Sequence, residues 1–221
     1  MDWVAISSLA TAGGTLALAG ATFAAVRSSN RSSRVAERTL LAELRPVLMP
    51  SRLQDPVQKI HFADGKWLAT PGGGASAETS DEAVWLTISL RNVGTGIAVL
   101  HGWLFHPERV LSGTSAAPPL EDFRRLSRDL YVPVSDIGFW QGAFRDPTTA
   151  EFSAAKERIE SRQEVTIDLL YGDHEGGQRV ISRFVLMPRD DGQWIAAVSR
   201  HWNIDRTDPR ADSRRDTGTA S

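Results

Sequence analysis

Cysteine is absent from the 221 residues. That excludes a disulfide framework, a Cys-ligated zinc site and a thiol nucleophile, and it fits a reducing compartment. An excess of one charge is missing too: 25 Lys and Arg face 27 Asp and Glu, a net charge of −2. A nucleic-acid binder carries a basic face, so no nucleic-acid partner is expected. No G-x-S-x-G elbow, H-E-x-x-H, G-x-G-x-x-G or kinase signature occurs. No catalytic, cofactor-binding or metal-ligating residue is therefore assigned, and no cofactor is expected.

Charge is also missing from one long stretch, Trp3 to Val26, and Arg27, Arg31 and Arg34 follow it. A membrane-crossing helix needs about 20 apolar residues, and this run is long enough. It is not strongly hydrophobic, because alanines and Gly13, Gly14 and Gly20 dilute Leu9, Leu16, Leu18 and Phe23. The reading is a transmembrane anchor over 1–27. Lys and Arg beside a span stay in the cytoplasm, which puts the C-terminal domain on the cytoplasmic side of the cell membrane. A secretory signal peptide would place its basic residues before the apolar run, not after it. A helix buried in a soluble domain is the other alternative. Gly13, Ala17, Ala21 and Ala25 fall four apart, a small-residue stripe on which two such helices could associate into a homo-oligomer.

Residues 28–45 continue at helical spacing through Val35, Leu40, Leu41 and Leu44, reading as a juxtamembrane amphipathic helix that Arg45-Pro46 ends. From 46 to 204 the period is two. Val84 to Asn92 alternates cleanly; Ile97 to Phe105 is apolar on both faces, as a strand covered on both sides would be. Val165 to Tyr171, Val180 to Leu186 and Trp194 to Trp202 close the set, with Gly172 to Gly177 as a hairpin loop. Short strands are expected near Val47–Ser51 and Lys59–Phe62, and Thr70–Asp81 reads as a flexible glycine-rich loop. Phe123, Leu126 and Leu130 predict one short helix over 120–130, and Phe152, Ala155 and Ile159 predict another over 149–161. Residues 205–221 have almost nothing to bury and read as a disordered tail. The fold class is mainly β: after the transmembrane helix and stalk comes an antiparallel, immunoglobulin-like β-sandwich over 46–204 with one or two short helices. A β-barrel is the alternative.

Candidate chemistry is sparse. Asp173-His174-Glu175 sets a histidine between carboxylates, which could bind a metal or act as a base. Consecutive turn residues point apart, so a polar hairpin tip is the plainer reading. His101 shares a face with Val99 and Trp103 and reads as a hydrogen-bonded, partly buried histidine. His61, His106 and His201 are scattered, though folding could bring His101 and His201 together. Seven tryptophans read mostly as core, with an exposed Trp140–Trp85 pair as the alternative.

The runs DLLYGDHEGGQRVISRF, RHWNIDR and LRNVGTGIAVLHGW, with the arginine-flanked apolar segment, resemble a group of actinobacterial single-pass membrane proteins known only as hypothetical proteins. The resemblance implies an anchor-plus-domain layout and brings no activity or functional residue with it. The expectation is a membrane-anchored, non-catalytic binding module with the lipid bilayer and a protein as partners. A small-ligand sensor or enzyme, with its site between sheet and helices, is the alternative.

Overall fold

The structure is a computed structural model. It describes residues 3–108 and 116–207, with side chains placed throughout except at 3–17, 37–38 and 41–43. The chain divides into two compact units, meeting between Glu43 and Leu44. The first is one unbroken helix, α1 (Trp3–Glu43), so the expected boundary between anchor and stalk at residue 27 does not interrupt the backbone. Within the described residues no helix is long and apolar enough to cross a membrane. The side chains of Gly13 and Ala17, on which the expected self-association depends, lie outside those described.

The second unit is mainly β. Its strands are β1 (Leu48–Pro50), β2 (Gln58–His61), β3 (Trp67–Thr70), β4 (Gly74–Thr79), β5 (Val84–Asn92), β6 (Ala98–His106), β7 (Arg124–Val132), β8 (Ile137–Phe144), β9 (Val165–Gly172), β10 (Val180–Pro188) and β11 (Trp194–Asn203). A helix, α2 (Ala150–Glu160), lies between β8 and β9. All pairings are antiparallel. One curled sheet runs β8-β5-β4-β11-β10-β9-β6-β7, with β1 paired to the far end of β5, Leu48 opposite Asn92. An immunoglobulin-like sandwich would divide such strands between two facing sheets. Here the strands form one continuous, curled antiparallel ladder, a β architecture of sandwich- or barrel-like kind.

Alternation fills the inside of the curl. Leu86, Ile88 and Leu90 of β5, Leu100, Trp103 and Phe105 of β6, and Ile167, Leu169 and Tyr171 of β9 share one core with Phe184 and Leu186 of β10. Phe152, Ala155 and Ile159 of α2 join it at helical spacing, packing against β4, β5 and β9. Burying each large apolar side chain contributes roughly 1.5–3 kcal/mol. Thr149 starts α2 by accepting the Phe152 N–H on its hydroxyl, the expected N-cap chemistry.

Two smaller clusters cover the outside. The β2–β3 hairpin places Ile60, Phe62 and Leu68 on Trp85, Phe139 and Ala143, the outward residues of β5 and β8. Phe123, Ile181 and Trp202 pack with Leu104, Leu170 and Ile204 across the outer face of β6, β9, β10 and β11. The two-sided apolarity of β6 comes from this second layer.

Two further expectations are corrected. Residues 120–130 are a 3-10 turn (Leu120–Asp122) followed by β7, not a helix. The β6–β7 register shifts from Leu100↔Leu130 to Gly102↔Arg125, and this bulge stretches the alternation into a helix-like spacing. Thr70–Asp81 is not a flexible loop, because it holds β4. Its glycines are there for close backbone approach: a Cβ on Gly72 would lie 2.4 Å from the Arg52 carbonyl oxygen. For the tryptophans, the core reading holds at Trp140, which is fully buried, and the alternative of an exposed Trp140–Trp85 pair falls. Of the expected tail, 208–221 lies outside the described residues.

Candidate functional site

Among the described residues the sheet does not close by hydrogen bonds. β7 pairs only with β6, and β8 only with β5, although the two are consecutive strands. They meet at their turn end, where a Cβ on Gly138 would lie 2.6 Å from Cγ2 of Val132. Beyond it a cleft of about 320 Å³ opens between them, reaching the β2–β3 hairpin at Phe62 and Ala63.

Four arginines line this cleft: Arg124, Arg125 and Arg128 from β7, and Arg145 just after β8. Arg124 stacks its guanidinium over Trp103 and Phe144, 5.6 and 5.0 Å from the ring centroids, and pairs with Glu151 of α2. Arg145 donates from Nε to Asp64 Oδ2 at 2.9 Å. Burial alone would raise the Asp64 carboxyl, but hydrogen bonds from Trp85 and Arg145 outweigh it and hold the group below its ordinary value. Arg125 and Arg128 are exposed, and neither has an ion-pair partner among the described residues. The cleft wall thus carries four cations against two carboxylates. Gln141 of β8 faces the same space, and its buried Oε1 has no hydrogen-bond partner among the described residues.

Two other polar networks are internal supports. On the outer face, Asp168 is 0% exposed and takes Nε and Nη2 of Arg183 at 2.7 and 2.6 Å, with His106 Nε2 at 2.7 Å from Oδ2. Burial opposes that charge, yet the Arg183 and His106 contacts win and lower its pKa. The Arg183 guanidinium lies 5.0 Å over the Trp202 ring. Inside the curl, Tyr171 Oη accepts the Leu48 N–H at 3.0 Å and meets Ser182 Oγ at 2.8 Å, which in turn meets His201 Nδ1 at 2.6 Å. Burial pushes the Tyr171 hydroxyl up to about 12. Ser182 is 0% exposed and His201 half-buried.

The residues singled out in the sequence do not assemble into a site. Asp173 Oδ1 accepts the N–H groups of Glu175 and Gly177 at 3.0 and 2.8 Å, shaping the hairpin tip. His174 and Glu175 form an exposed contact at 3.4 Å, of the kind worth little. His101 falls at the β6 bulge, which shifts the alternation so that Trp103 joins Leu100 in the core while Val99 does not. Burial lowers the His101 pKa, with Asp129 and Asp173 opposing and Arg179 reinforcing. His201 belongs instead to the Ser182 network, so His101 and His201 sit in different surroundings. His61 stacks on the exposed Trp67, their centroids 4.5 Å apart. No group of three His, Asp or Glu residues is placed to hold a metal among the described residues. The arginine cleft went unread in the sequence because β7 resembled a helix.

No family model, curated protein or solved structure matches this chain.

Proposed function

We propose that the chain from Leu44 onward is a non-catalytic binding module that takes an anionic partner in the β7–β8 cleft. What supports this reading is the charge on that wall. Four guanidinium groups converge, Glu151 and Asp64 offset two, and Arg125 and Arg128 are left over on a chain of net charge −2. Arginine presents planar, paired donors that match carboxylate and phosphate oxygens. Titration of the full chain with glutarate and with inorganic phosphate, followed by amide NMR, tests this. Saturable shifts should centre on Arg125, Arg128 and Gln141 and disappear in the Arg125→Glu/Arg128→Glu variant. Shifts absent there, or unchanged by charge reversal, defeat the reading.

The proposal extends to the first helix, read as a membrane tether with the module on the cytoplasmic side. Its support is the uncharged run Trp3–Val26, the arginines after it, and the exposed Leu18, Phe23 and Val26. Self-association through Gly13, Ala17 and Ala21 belongs to the same reading. Cell fractionation decides it: the full chain should pellet and be released only by detergent. Recovery in the soluble fraction ends the tether, and with it the helix-mediated oligomer.

A further inference from the structure

We infer that the occupant of the cleft is an extended acidic peptide segment, which adds as a strand to the free edge of β8 between Trp140 and Phe144. This rests on the reading of the cleft as an anion-recognition site, and it adds three observations.

The first is the edge itself. Along its length β8 pairs in unbroken register with β5, Val84 opposite Phe144 through Arg91 opposite Ile137. Among the described residues its opposite edge meets no strand, and β7 offers none across the gap. A regular strand with one unpaired row of N–H and C=O groups is a template for another extended chain. The turn end is closed by Val132 against Gly138, and Gln58 Nε2 already donates to the Gly138 carbonyl at 2.9 Å. The usable edge therefore begins near Trp140.

The second is Gln141. Its buried Oε1 has no donor among the described residues. An ionised carboxylate brings only acceptors and leaves this oxygen unsatisfied, at a cost of order 1–3 kcal/mol. A peptide brings backbone N–H donors along with its charge.

The third is the arrangement of the arginines. The register shift leaves residues 126–129 of β7, Arg128 among them, without a partner on β6, and Arg125 stands at its border, opposite Gly102. These side chains face the gap from the strand opposite the template edge, where they can take up carboxylates of an added strand. They also repel a second copy of the same arginine-bearing edge, which argues against self-pairing and selects an acidic partner.

The test uses the full chain and a pool of heptapeptides alternating glutamate with valine or leucine, read by binding affinity and by hydrogen exchange at residues 140–145. The expected result is saturable binding with at least tenfold slower exchange at those amides not bonded to β5. Methylating alternate peptide nitrogens on one edge should weaken binding at least tenfold, and on the other edge should not. Arg125→Glu/Arg128→Glu should abolish binding while the unfolding midpoint stays within the range of surface substitutions. Peptides that bind equally well when methylated on either edge overturn strand addition and leave the anion site standing. Strand addition is overturned in the same way if glutarate and phosphate bind but no peptide does. If neither peptides nor small anions bind, both readings fall.

Discussion

The Asp168–Arg183 pair allows a quantitative prediction. Asp168 is 0% and Arg183 6% exposed, and two short hydrogen bonds join them. Asp168→Asn keeps the shape but removes the charge and turns an amide donor toward guanidinium donors. Breaking a buried pair by removing one partner costs about 3–5 kcal/mol, because the remaining charge stays buried alone. For a domain of this size each kcal/mol lowers Tm by about 2–4 °C, so a fall of about 6–20 °C is expected. Replacing both partners by apolar residues of similar volume, Asp168→Leu/Arg183→Met, should cost less than the single change, since no lone charge remains. Denaturant unfolding with constant m, combined as a double-mutant cycle, measures the coupling. The acid limb is a second readout. The folded carboxyl sits below its ordinary value of 3.8, so its contribution is present above that value and is lost as pH falls through the lower, folded one. The Asn variant should lack that part of the acid dependence. A single-variant cost under about 1 kcal/mol, or strictly additive effects in the cycle, would refute a tightly coupled buried pair.

Other outcomes follow from the same packing. Tyr131 and Tyr171 are the only tyrosines, and both are raised, Tyr131 by the Asp129 charge and Tyr171 by burial to about 12; absorbance titration should show no normal phenol near pH 10. Because the Tyr171 value is raised, its contribution holds below 10 and is lost as pH climbs from 10 toward 12, so Tyr171→Phe should flatten the alkaline limb of stability. Asn92 is buried and bonds to Val47 and Gly94 N–H and to Gly96 and Val132 carbonyls, so Asn92→Ala should cost about 2–4 kcal/mol by denaturant unfolding. A Cβ at Gly96 would run into the Leu44 carbonyl, so Gly96→Ala should lower the melting temperature more than Gly176→Ala, where nothing lies within 4 Å. Thr149→Ala removes the α2 cap and should cost about 1 kcal/mol.

Alternation along β5, β9 and β10 was legible in the chain because one side of each strand faces a single core; α2 was legible because Phe152, Ala155 and Ile159 repeat at the helical period. β4 and β7 were not. In β4 small residues fit a crowded backbone crossing and imitate a loop, and in β7 a bulge imitates a helix. The charge balance and the absence of cysteine and of catalytic motifs were fixed by composition. Which strands end the sheet was not, because each pairing joins residues far apart in the chain and local pattern carries no information about it. That decision leaves β7 and β8 side by side but not paired with each other, and it gathers Arg124, Arg125 and Arg128 of β7 and Arg145, just after β8, into one cleft. A guanidinium on a strand reads the same in sequence whether it faces open water or the wall of a cleft; only the curl of the sheet distinguishes them.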